Sequence, residues 1–341
     1  MREIGVLRSQ AEESSPFRAP ARTNRALALI DGPAAGSAMQ VQLNYGPEGQ
    51  RIVDMAHNAV GDTLATFIKD FPNYGDGAAY WSVNRNDNGS LPLTTFALDR
   101  ALLDWGLVQE ASEKVGFYLS VWVDADGFIN QNPPGAQNSG WMYSCPLGFP
   151  DGLSDFGQLL ELWVQVARAR QSRSALAYAT SPDQWIQANL PKALALANFT
   201  LQLRRNATAN TPAGSSYRGL IWGPGEHDTC HSPDYYFSSS MWAWRGMVEL
   251  SRWLRAAGIQ PALSAVLQEE ASSFATDITM ALDASTVRDP STGQVLFVPP
   301  IAGVGQTPFT SMTENTESSY SNFRCLSPPL SDSLCIRHLV C

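Results

Sequence analysis

The sequence predicts a mainly helical chain built from paired helices. Three observations predict it. Long segments carry apolar residues at 3.6-residue spacing. These segments come in pairs, and each pair is closed by a glycine-rich extended stretch. The order is not β-α-β, which argues against a doubly wound sheet. Helix pairs that return at intervals suggest a solenoid or its closed form, a toroid of helical hairpins. No sequence repeat accompanies this repeat of architecture.

Residues 1–48 show little periodicity and form an irregular N-terminal segment, with a possible strand at Ala26–Ile30. The first helix is expected over Arg51–Phe71, where Val53, Ala56, Val60, Leu64, Phe67 and Phe71 share a face and Pro72 ends it. A second is expected over Pro92–Ala111, with Leu98, Leu102 and Trp105 aligned. Aromatic and β-branched residues then fill Val115–Val123, and Asp126-Gly127 signals a tight turn. The natural expectation there is a β-hairpin, although its first arm also suits the end of a helix.

Asp151–Arg170 is the third expected helix, striped by Leu153, Phe156, Leu160, Trp163 and Ala167, with Asp151 or Ser154 as its cap. The fourth opens on Ser181-Pro182-Asp183-Gln184, a capping box with proline in the first turn. Pro191 inside it is expected to kink or split its start. The fifth runs over Pro233–Ala257. Its two adjacent stripes, through Phe237, Met241, Trp244 and Val248 and through Tyr236, Ala243, Met247, Leu250 and Leu254, suit a helix buried between layers. Arg245, Glu249 and Arg252 are spaced for mutual ion pairs, and Gly258 stops the helix. A sixth is expected over Pro261–Ala284, followed by a turn and strand through Val298.

Composition narrows the function. A net charge of −9 with no basic run argues against a nucleic-acid surface. No apolar stretch approaches the ~20 residues of a membrane span. Met1–Asn24 lacks the apolar core of a signal peptide, while sequons at Asn88, Asn198 and Asn206 leave a secretory compartment open. Ten tryptophans and ten tyrosines suit sugar stacking and a large core equally. Cys145 and Cys230 are either two thiols or a bridge, and three further cysteines crowd the last residues.

The polar side chains concentrate after an extended stretch, Leu220–Trp222, which runs into a Gly-Pro-Gly turn. Glu226, His227, Asp228, Cys230 and His231 follow at once. Polar chemistry on such a loop is a typical site pattern, because scaffold elements hold functional loops. The bland reading is a surface turn with a solvated carboxylate pair. His-x-x-Cys-His matches no zinc spacing, so neither metal nor cofactor is expected. Walker, dinucleotide and Gly-x-Ser-x-Gly motifs do not occur, nor does the aspartate-rich diphosphate motif of terpenoid cyclases.

Three stretches give the chain a family resemblance. They are Val123–Asn130 leading into Phe149–Trp163, Tyr217–Asp228 leading into Tyr235–Leu250, and Gly293–Val298. Together they resemble the six-hairpin glycosidases, whose (α/α)6 toroid hosts many carbohydrate-active enzymes. The resemblance spans roughly residues 50–320 and implies a partial toroid over 49–324, mainly α, with short β-hairpins between helix pairs. It further implies a monomer acting on an oligosaccharide or glycoconjugate, by inverting acid/base hydrolysis across two carboxylates ~6.5–9.5 Å apart. Glu226 or Asp228 then supplies the acid. Trp222, His227 and Tyr235 become sugar contacts, and Trp141, Asp151 and Asp155 line the same funnel. Six helices are legible where a toroid needs twelve, and residues 325–341 differ in composition from all that precedes them. The expectation is therefore a truncated chain with a non-homologous tail, lacking the water-activating base. The alternative is a non-catalytic carbohydrate-binding or pseudo-enzyme toroid.

Overall fold

The computed structural model describes residues 51, 54–55, 92–129, 153–176, 183–224 and 233–303. The fold is mainly helical. Among the described residues it has α1 (Pro92–Asp104), α2 (Val108–Trp122), α3 (Ser154–Leu176), α4 (Gln184–Asn210), α5 (Phe237–Ala257) and α6 (Pro261–Ser285). A small antiparallel pair follows, β1 (Val287–Arg288) with β2 (Val295–Phe297). Of the first expected helix, Arg51 and residues 54–55 are helical, and its remainder lies outside the described residues. So do Ala26–Ile30, the cysteines, the sequon at Asn88 and the tail.

One expectation about the second helix is corrected, and of the two readings left open for the next stretch the helical one holds. The expected second helix is two helices, because Gly106 adopts φ +75° and ends α1. The Gly106 N–H donates to Leu103 O and the Leu107 N–H to Leu102 O, which satisfies the last carbonyls of α1. Glycine reaches this left-handed conformation without a Cβ clash. The first arm of the expected hairpin is helical as well. Val115, Tyr118, Leu119 and Trp122 recur at three- and four-residue spacing, and all four are buried against the core. Burial of that stripe outweighs the β preference of its residue types. Only the turn remains of the hairpin, closed by a Val123–Ile129 bridge around Asp126-Gly127.

Helix α3 begins at Ser154, three residues later than expected, and runs on to Leu176. The cap of α4 is Asp183 rather than Ser181, and its carboxylate accepts from the Trp185 and Ile186 N–H groups. Pro191 does not split the helix, since α4 is continuous from Gln184 to Asn210. Helix α5 starts at Phe237 because Tyr236 is drawn into a bridge with Ile301.

The helices form two rows. In the first, α1, α3 and α5 lie side by side, with α3 in the middle. Phe96 meets Trp242, Arg100 reaches Glu161, and Arg245 also reaches Glu161. Further along, Arg168 pairs with Glu249 and Trp163 meets Trp253. Contacts that advance together along both chains mean that α1, α3 and α5 run parallel. Gly157 and Gly246 face one another where α3 and α5 come closest, with the Gly246 Cβ position 2.7 Å from Gly157 O. No larger side chain fits either place.

Helices α2, α4 and α6 make the second row, antiparallel to the first. Ser112 of α2 lies beside Arg170, near the end of α3, while Tyr118 lies near Asp155 at its start. Phe199 of α4 stacks on Phe156, and Trp185 on Trp163. Ser251 and Ser264 bind each other reciprocally between α5 and α6. One core runs between the rows, from Phe96 to Ile278. No helix of the described residues is long and apolar enough to cross a membrane.

This arrangement gives the first row two unlike ends. The connections from α1 to α2 and from α5 to α6 are short and share one end. Each return from the second row to the first crosses the other end, where α3 and α5 begin. We call these the short-turn end and the loop end.

Candidate functional site

The loop end gathers three connections. The Val123–Ile129 turn lies against α4, where Lys192 Nζ donates to Val123 O and Phe128 meets Phe199. The stretch Thr211–Pro224 crosses from α4 toward α5. Ile301 and Ala302 return to Tyr235 and Tyr236 after the β1–β2 pair.

The second connection is fixed most firmly. Ile221 is buried, and its N–H donates to Ser240 Oγ at 3.1 Å. Gly223 and Asp234 exchange backbone hydrogen bonds of 3.0 and 2.9 Å, which pin the two ends of the Gly-Pro-Gly loop together. A Cβ on Gly223 would stand 2.2 Å from Leu153 Cδ1. The base of this loop therefore rests on the residue that precedes α3. Between the buried Ile221 and this bridge, Trp222 is 41 % exposed, an unusual place for a large aromatic surface.

Three of the expected site residues lie among the described ones. Trp222 is solvent-facing at the base of the loop. Asp155 sits in the first turn of α3 and is buried. Burial pushes the Tyr118 hydroxyl well above its ordinary pKa, and the charge of Asp155 adds to the effect. Tyr235 lies in a small second core with Leu220, Phe237, Ala281 and Ala302. Its ring packs on Tyr217 at 4.6 Å, and its hydroxyl shares a 2.6 Å hydrogen bond with Thr211. Those bonds make Tyr235 an anchor of the connection. Glu226, His227, Asp228, Trp141 and Asp151 lie outside the described residues.

Residues that the sequence reading missed surround this end. Tyr118 Oη and Trp122 Nε1 on α2 are buried without a hydrogen-bond partner. So are both amide atoms of Gln158 in α3, and Ser238 Oγ and Ser239 Oγ in the first turn of α5. Tyr236, which precedes α5, supplies no side-chain cap. One turn deeper, Glu161 is buried between Arg100 and Arg245, and its Oε1 also accepts from Gln165 Nε2 at 2.9 Å. The signal in the sequence was the serine run at 238–240 and the polar Ser154, Asp155 and Gln158 in the first turns of α3.

Buried polar groups are nearly always paired, so a cluster of unpaired ones calls for a physical reason. These are neutral donors and acceptors suited to hydroxyl groups, beside one carboxylate and an exposed indole. Among the described residues, no group of His, Cys, Asp and Glu is placed to hold a metal ion. Comparison with protein-family models, curated proteins and solved structures finds no match to this chain.

Proposed function

We propose that the chain is carbohydrate-active, with its binding site at the loop end of the first helix row. The observation that carries this reading is the segregation of unpaired neutral polar side chains to that end, beside the exposed Trp222. Sugars present hydroxyl groups in quantity and an apolar ring face. They are recognised by convergent polar groups combined with an aromatic platform. The parallel first row and antiparallel second row also support an arc of an (α/α)6 toroid, in which such ends line a central funnel.

Within this reading Glu226 is the general acid and Asp228 its alternate. The loop that carries them departs from Gly223 and returns at Asp234. Asp155 lies in the turn against which that loop rests, and a buried carboxylate there suits orientation of a sugar hydroxyl.

The test is turnover of aryl glycosides by the full chain beside Glu226→Gln. Loss of a general acid is expected to lower hydrolysis about 10²- to 10⁴-fold while binding persists. Equal turnover in both proteins removes Glu226 from the mechanism. Binding of neutral oligosaccharides without any turnover establishes the non-catalytic reading instead.

A further inference from the structure

Arg204 is buried in α4 and was not among the residues that the sequence marked as functional. Four of its five N–H donors are engaged, each by a different partner. Nε donates to the Gly219 carbonyl at 3.2 Å, and Nη1 to Glu270. Nη2 donates to Ser273 Oγ at 3.0 Å and to Asp277 Oδ2 at 2.5 Å. The plane of the group lies over Phe274, 4.8 Å from its centroid. Arg205 adds a second cation on Glu270, at 2.7 Å.

A pairing of α4 with α6 alone would leave Nε without a role. Its acceptor is the residue that begins the extended stretch to Trp222. Gly219 has φ +98°, and a Cβ there would stand 2.1 Å from Asp277 Oδ2. Glycine alone lets the backbone come close enough for its carbonyl to reach the guanidinium. Leu220 is then fully buried, Ile221 hangs on Ser240, and Trp222 emerges three residues from the anchored carbonyl.

We propose that Arg204 is a positioning residue. It clamps Gly219 to α6 and thereby fixes the direction in which Trp222 and Gly223, at the base of the Gly-Pro-Gly loop, leave the scaffold. The inference rests on the reading above, that this loop carries the site. Arginine is required because one planar fork must serve a carbonyl and two carboxylates at once. A lysine keeps the charge and loses the reach to Gly219.

The experiment is hydrogen exchange of the full chain, read for the segment 217–224, in wild type, Arg204→Gln and Arg204→Lys. Val164→Ala, a core change in α3, serves as a control for general loss of stability. Both Arg204 variants are expected to lose protection at Ile221 and Gly223 by roughly ten- to a hundredfold. Helices α1 and α3 should stay unchanged, and Val164→Ala should show no such local effect. Wild-type protection in Arg204→Gln, or full rescue by Arg204→Lys, overturns the clamp. Binding of maltotetraose and cellotetraose, measured on the same proteins, separates this from the functional reading. If wild type binds neither, the sugar reading fails while exchange still decides the clamp. If wild type binds one, Arg204→Lys should bind it at least about tenfold more weakly, and equal affinity would overturn the positioning role.

Discussion

The two ends of the first helix row are built on opposite principles. At the short-turn end nearly every buried polar atom has a partner. Arg170 Nε donates to both oxygens of Asp183 at 2.9 Å, and the Trp185 indole donates to Ser112 O at 2.8 Å. The Trp253 indole finds Gln171, and Ser251 and Ser264 satisfy each other. Among the neutral side chains described there, Trp163 Nε1 has no partner. At the loop end Tyr118, Trp122, Gln158, Ser238 and Ser239 hold unpaired polar atoms in the same kind of burial. An unpaired buried group costs about 1–3 kcal/mol. A fold that resolves this cost at one end and tolerates it at the other has assigned the ends different tasks. One end holds the rows together, and the other keeps hydrogen-bonding capacity for something that enters.

Substitutions at the two ends should therefore separate stability from binding. The largest effect is expected at Trp163, which packs between Trp185 and Trp253. Trp163→Ala should cost about 3–5 kcal/mol in chemical denaturation. Saccharide affinity should be unchanged at temperatures where the variant is folded.

Asp183→Ala removes both the cap of α4 and the partner of Arg170, and should cost about 2 kcal/mol. Gln158→Leu at the loop end should do the reverse, raising stability by about 1 kcal/mol as two unpaired atoms disappear. Oligosaccharide binding should weaken in the same protein. A destabilised Gln158→Leu would break the contrast between the ends. Ser239→Ala repeats this on a smaller scale, with stability changed by less than about 0.5 kcal/mol.

Acid and base should also act differently on two of the paired carboxyls. Burial raises the Asp183 carboxyl, but the hydrogen bonds from Arg170 and Ile186, with the Arg170 charge, outweigh it and hold the group low. Its contribution is present above the unfolded-state value of 3.8 and is lost as pH falls through the folded value. Asp99 is the opposite case, buried against Lys114 at 3.1 Å between α1 and α2. Burial pushes its carboxyl up to about 6, against the pull of Lys114. Its contribution is full below 3.8 and is lost as pH rises through about 6. The denaturation midpoint of Asp183→Asn should lie below that of wild type near neutral pH and converge on it below about pH 4, whereas wild type should lose stability relative to Asp99→Asn as pH rises from about 4 to 6.

Much of this fold was legible in the sequence because helical stripes survive tertiary context. Helices α3 to α6 were expected within a few residues at their starts, and Gly258 and Pro261 mark the real boundaries of α5 and α6. Helix α2 was obscured by β-type residues, since Val115, Tyr118, Leu119 and Trp122 read as a strand until their burial on one face is known. The expected split at Pro191 did not occur because the helix absorbs the missing N–H on an exposed position. The site was legible only in its loop. Trp222 and Asp155 stand at the loop end as residues of a single region, which no spacing in the sequence revealed. Tyr118, Gln158 and Arg204 carry no motif, because their roles come from what the fold leaves beside them.

One measurement bears directly on the claim that the loop end receives a ligand. Hydrogen exchange of the full chain is compared with and without a saturating neutral oligosaccharide that binds it. The account predicts added protection in residues 118–123, 154–158, 220–224 and 234–240, with the segments around Trp163, Trp185 and Trp253 unchanged. Protection centred on those tryptophans, or no saccharide that protects any segment, would contradict it.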